Sequence, residues 1–358
     1  MNFFQKVQGK SRAIFRKSKN KAYGIIDYFF PIQTKELAGK RIFSLGYAYP
    51  DELFVENIPE KNTIWAEVIP GLTETYRFDQ EDEYYRMYQK ARFAFTWKKG
   101  GWDCLRHYEI IANGCLPVFR GIENCPKGTL EHFPKELLQE INEKLLPWKG
   151  TKTQESEYQR LSVELLAYSK NHLSCSGLGR SVFKMFGLEK APSILLLTCD
   201  PRPNYSREFA FIGLNKEAKK SGGICISYPR LNAVYEDFPK EKASQLYGRG
   251  FGYTRKIEAQ AGESQQDWDD DKIRKSILDK NWDLVLYGKV GLDEGVLGSL
   301  PNLPFWSEVS SVYSKNQIGF LYGGDHSHNL SERSSPYTRH LLSHSKHGIC
   351  LVRELELP

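Results

Sequence analysis

From Lys40 onward the apolar positions of the chain fall into short runs separated by helical periodicities. RIFSLGYAY (41–49) reads as a strand running into a loop, and TIWAEVIPG (63–71) as a second short strand ended by Pro-Gly. QEDEYYRMYQKA (80–91) has a helical pattern, with acidic residues in the first turn where the helix dipole favours them. RFAFTW (92–97) is a strand, KKGGWDC (98–104) a loop, LRHYEIIANG (105–114) a helix closed by Gly114, and CLPVF (115–119) a strand. Strand, helix and strand at this tempo predict a parallel βαβ unit.

Residues 126–190 are mostly helical in pattern and read as a bridge. ILLLTCD (194–200) is almost wholly apolar, as a strand buried in a parallel sheet must be. REFAFIGLNKEAKKSGG (207–223) reads as a helix with a Gly stop, then ICISYP (224–229) as a strand. KIRKSILDKNW is a further helix, and WDLVLYG, QIGFLYGGD and HGICLVREL are further strands. The pattern predicts an α/β protein with a basic N-terminal helical segment (1–40), a first Rossmann-like domain with its helical bridge (41–190) and a second Rossmann-like domain (191–358), facing a cleft.

Composition leaves that picture in place. A length of 358 residues suits two domains, and 40% apolar with 26% charged residues is ordinary for a globular chain. A net charge of +6 fits an anionic ligand or acidic membrane surface and is too small to argue for nucleic acid. No apolar run approaches the ~20 residues needed to span a bilayer. Seven scattered cysteines without CxxC spacing argue against a zinc site or a disulfide framework and for a cytoplasmic protein. Segment 1–40 interleaves aromatic with basic residues, which suits either a helix packed on the body or a peripheral contact with the inner membrane face.

The densest chemistry lies in TWKKGGWDCLRHYEIIANGCLP (96–117). A basic, glycine-bearing loop precedes a helix, whose N-terminus offers free N–H groups and positive dipole to phosphate. Lys98, Lys99 and Arg106 add charge, and arginine grips phosphate bidentately. Glu109 lies one turn beyond Arg106 on the same face, where a carboxylate can accept both ribose hydroxyls. The plain alternative for these two is a surface ion pair at i,i+3. In GLTETYRF, Tyr76 is placed to stack on a nucleobase, whereas Tyr84, Tyr85 and Tyr88 have helical spacing and suit a core or an interface.

RHYEIIANGCLPVF resembles the donor-binding motif of GT-B glycosyltransferases, particularly the exostosin-like group, with its pattern R-x-x-E-(x4)-G-C-x-P. The resemblance covers residues 65–135 and is weaker over the flanking chain. It implies that Arg106 and Glu109 contact the diphosphate and ribose of a nucleotide-sugar, that TWKKGGWDC is the phosphate loop, and that Gly114 belongs to the donor site. It also implies a metal-independent enzyme with no cofactor beyond the nucleotide-sugar co-substrate. The family's donor half is C-terminal, so the donor-first order here implies a permuted arrangement, with LVREL resembling the segment that joins the halves. Retaining members often carry a second carboxylate seven residues before the ribose Glu; Trp102 stands there, with Asp103 beside it, which favours inversion.

An inverting transferase needs a base for the acceptor hydroxyl. Asp200, Asp325, His326 and His328 stand at predicted strand ends of the second domain. A helix-capping role for Asp200 and a solvated turn for the other three are the plain alternatives. A metal at the His pair lacks an evident third ligand. The expected partners are a nucleotide-diphosphate sugar and a glycan or glycolipid acceptor. The rival reading is a non-catalytic nucleotide-sugar-binding module of a larger glycan-synthesis protein. A methyltransferase in the second half is disfavoured because CDPRPNY replaces a glycine-rich turn after its first strand.

Overall fold

A computed structural model describes residues 41–198, 200, 202–259, 268–292, 295 and 298–358. The basic segment 1–40, Cys199 and most of AQAGESQQD lie outside the described residues. By Cα proximity the chain divides into 1–43 and 44–358, and everything below on the cleft concerns the second unit.

The predicted βαβ unit is present. It runs through β2 (Thr63–Trp65), α1 (Glu81–Lys90), β3 (Ala91–Trp97), α2 (Leu105–Ala112) and β4 (Leu116–Arg120). The three strands form one sheet in the order β2-β3-β4, and both pairings are parallel, with Phe93 opposite Leu116 and Trp65 opposite Phe93. All eight residues of α2 are buried, polar ones included, so this helix is interior.

Next come α3 (Lys135–Leu145), α4 (Lys152–His172), α5 (Cys175–Phe186), β5 (Ser193–Thr198), α6 (Tyr205–Lys220) and β6 (Ile224–Tyr228). The short helix α7 (Lys240–Ala243), α8 (Asp270–Leu278), β7 (Leu284–Gly288), α9 (Trp306–Val312), β8 (Ile318–Tyr322), β9 (His328–Asn329), α10 (Pro336–His344), β10 (Ile349–Val352) and β11 (Leu355–Glu356) complete the described order. The larger sheet has the order β1-β10-β8-β7-β5-β6, where β1 is Ile42–Ser44. Strands β7, β8 and β10 are buried along their whole length, because helices cover both faces of a parallel sheet. The order β6-β5-β7-β8-β10 is that of a doubly wound sheet that reverses between β5 and β7.

Two placements differ from the linear reading. Strand β1 joins the larger sheet: Leu45 N donates to Val352 O at 3.0 Å. Residues distant in sequence can pair in a parallel sheet, and nothing in RIFS encodes which sheet it enters. Helix α5, at the end of the predicted bridge, packs on α6 of the larger sheet rather than standing apart. Gly213 lies against the Cys175 carbonyl and Gly179 against Gly213, so neither has room for a Cβ. The glycines let the two helix backbones touch.

Candidate functional site

The loop before α2 is held from behind. His107 is fully buried; its Nδ1 lies 2.8 Å from Thr96 Oγ1 and its Nε2 2.9 Å from Trp102 O. Burial pushes its pKa down to about 3, so the ring is a neutral strut. Gly100 sits against the Asp325 carboxylate and Gly101 against that of Glu354; a Cβ at either would overlap them. Glu354 accepts the backbone N–H groups of Trp102 at 3.1 Å and Asp103 at 2.9 Å. The paired glycines provide clearance for two carboxylates of the chain itself.

Arg106 and Glu109 both line a cleft of about 980 Å³. They are 9% and 6% exposed, so the surface-pair alternative is excluded. One Arg106 guanidinium nitrogen donates to Tyr76 Oη at 2.6 Å, and the group lies 5.6 Å from that ring's centre. Its Nε and other terminal nitrogen are buried without any partner. Burial works against the charge, but Cys104 and the surrounding tyrosine hydroxyls hold the pKa above its usual value, so it stays cationic. Glu109 accepts from Tyr84 Oη at 2.8 Å, and Tyr84 lies 3.1 Å from the Tyr88 hydroxyl. Burial pushes the Glu109 pKa up to about 7, against the pull of Tyr84 and Arg106.

The facing wall comes from loops of the larger sheet. Asn204 and Tyr205 at the start of α6, residues of the 247–253 loop, and Gly323 to His326 after β8 line the same cleft. Arg353 ties the two walls. It donates to Asp103 O at 2.5 Å and Gly324 O at 2.9 Å, pairs with Asp325, and stacks 4.6 Å from the Tyr47 ring centre. Asp103 Oδ2 accepts from Tyr47 N at 2.6 Å, and burial lifts this carboxyl to about 7. On the rim, Arg249 pairs with Asp79 at 2.6 Å, and Gly252 N donates to Glu81 at 2.6 Å.

The structure therefore brings Tyr76, Lys99, Arg106, Glu109, Asp325 and His326 to one cleft. The other predicted site residues lie elsewhere. Lys98 is absent from the lining and rests 5.3 Å from the Trp102 ring centre. Gly114 is past the far end of α2, with positive φ, packed against Pro59; it shapes the turn into β4. Asp200 stands at the reversal of the larger sheet, buried between Arg202 and Lys289. Hydrogen bonds from Arg202 hold its carboxyl far below the usual range, which unsuits it to take a proton. His328 is buried against Tyr322. Tyr84, Tyr85 and Tyr88 are all buried, as helical spacing implied, and Tyr84 also lines the cleft.

The linear reading missed Tyr47, Asp103 as a wall residue, Tyr205, Phe251, Tyr253 and Arg353. The glycine- and arginine-bearing run YGRGFGYTR (247–255) does stand out in the sequence as a second loop, though no ring within it does; Arg353 in a terminal strand gives no such signal. Among the described residues no group of three His, Cys, Asp or Glu is arranged to hold a metal ion, and no helix is long and apolar enough to cross a membrane. Comparison with protein-family models, curated proteins and solved structures returned no match.

Proposed function

We propose that the protein is a glycosyltransferase that moves a sugar from a nucleotide-diphosphate sugar to a glycan or lipid-linked acceptor. In this reading the fold is of GT-B type with its halves in permuted order, and the small-sheet half binds the donor. The observation that carries it is Arg106: a buried guanidinium on the cleft wall, with two nitrogens lacking any partner, one turn from a buried carboxylate. A buried cation in this state is costly unless an anion completes it. A diphosphate would do so, with Lys99 and the N-terminus of α2 adding positive potential. Glu109 then accepts from the ribose hydroxyls, and Tyr76 lies over the base.

The acceptor oxygen attacks the anomeric carbon while its proton passes to Asp325 or His326. The bond from that carbon to the diphosphate breaks, and the nucleotide leaves with both electrons, its charge held by Arg106 and Lys99 without a metal. Inversion follows from this single displacement. The nucleotide-sugar is the co-substrate. A thermal-shift screen against UDP, GDP, CMP and dTDP identifies the base, since a ligand at 100 times its Kd stabilises by about 2.7 kcal/mol. Arg106→Ala is expected to abolish binding of the responding nucleotide in calorimetry with the fold intact. Equal affinity in wild type and variant removes the assignment.

A further inference from the structure

Tyr247 is 78% exposed, far more than the other large apolar side chains of the described chain, yet its loop is firmly held. The Tyr253 hydroxyl donates to the Tyr247 carbonyl at 3.2 Å, and Tyr253 itself is fully buried. Arg249 and Gly252 fasten the same loop to Asp79 and Glu81 across the cleft. Phe251 packs 6.0 Å from Tyr84. An aromatic ring left in water on an anchored loop is a pre-formed contact surface, because little conformational freedom remains to be lost when something settles on it.

The ring also belongs to a row. Tyr247 lies 5.7 Å from Tyr205, Tyr205 lies 5.8 Å edge-on from Tyr47, and Tyr47 carries Arg353, which pairs with Asp325. The row runs from the rim of the cleft to the carboxylate assigned the acceptor's proton. The wall around this row also carries polar groups, Asn204, Arg249 and Asp325 among them, beside the rings of Tyr205 and Phe251. Aromatic rings interleaved with hydrogen-bonding groups match a ligand with one apolar face and a polar rim. A pyranose has that shape: axial C–H bonds on one face and hydroxyls around the edge.

We infer that Tyr247 is the platform on which the acceptor's sugar ring stacks, so that the acceptor is a saccharide recognised at its terminal residue rather than a protein side chain or a bare lipid. The inference rests on the transferase reading and narrows its acceptor. The residues assigned to the donor, Tyr76, Lys99, Arg106 and Glu109, include neither Tyr247 nor any residue of its loop, so nucleotide affinity and glycoside binding are read separately.

The test is saturation-transfer NMR with methyl β-glucoside, methyl β-galactoside and methyl N-acetyl-β-glucosaminide, beside calorimetry with UDP, GDP, CMP and dTDP. Wild type is expected to saturate the ring C–H protons of at least one glycoside. Tyr247→Ala is expected to lose that signal and Tyr247→Trp to keep it, with nucleotide affinity equal in all three. A glycoside signal that survives in Tyr247→Ala, or no signal in a wild type that binds nucleotide, overturns the platform and leaves the donor site standing. A glycoside signal that depends on Tyr247 with no nucleotide binding supports the platform and removes the transferase.

Discussion

Glu109 is a buried carboxyl whose hydrogen-bond partner is a phenol rather than a cation. Its pKa of about 7 in the fold lies above that of an unfolded glutamate, so the folded state binds more protons between those two values. Stability is therefore lost as pH rises through 7, because burial leaves the charged form poorly solvated. Glu109→Gln, which stays neutral, is expected to raise the stability of the ligand-free protein at pH 8 by on the order of 1–3 kcal/mol and to give no gain at pH 4. Denaturant titrations at the two pH values read this directly. The same variant is expected to bind nucleotide more weakly, since an amide accepts fewer ribose hydrogen bonds than a carboxylate. A variant no more stable at pH 8 than at pH 4 shows that Glu109 is solvated or paired in solution.

At the scale of elements, the loop 98–104 and the segment 353–356 act as one assembly. Gly101 faces Glu354, whose carboxylate is buried and already accepts two backbone N–H groups, so it has nowhere to go. Gly100 faces Asp325, whose side chain is mostly exposed and held on one side only, by Arg353, so it can yield more easily. Gly101→Ala is expected to cost about 1–3 kcal/mol, and Gly100→Ala clearly less. Urea unfolding midpoints of the two variants, read against wild type, decide it; equal costs show that the loop shifts as a whole. The sequence made the loop visible and its glycines conspicuous. It could not show that the clearance serves the carboxylates of Asp325 and Glu354, far along the chain.

At the scale of the molecule, Arg353 joins the two walls of the cleft, surrounded by Asp103, Asp325, Glu354 and Tyr47. Burial opposes its charge, and these neighbours more than offset that by holding the guanidinium protonated. Arg353→Met removes the one cation and leaves two buried carboxyls beside each other. It is expected to destabilise by about 3–5 kcal/mol and to open both loops to limited proteolysis. Cleavage confined to other loops shows that the walls hold together without it. The tie also explains why the candidate base and the candidate phosphate loop stay in register: Asp325 and the Asp103 carbonyl bond the same side chain.

The amino-acid order alone determined most of the elements, because apolar periodicity is a local property: the βαβ unit, the buried strand at 194–198 and the helix carrying Arg106 and Glu109 are all readable within a few residues of themselves. It also marked Lys99 and Asp325, since charged, glycine-flanked residues after strands are locally conspicuous, and Tyr76 as a ring in a polar loop. Only the tertiary structure decided which sheet β1 enters, that Asp200 is neutralised by Lys289, and that Arg353 and Tyr247 stand on the cleft. Those outcomes depend on groups far apart in the chain meeting in space, and a contact of that kind leaves no periodic trace along either partner.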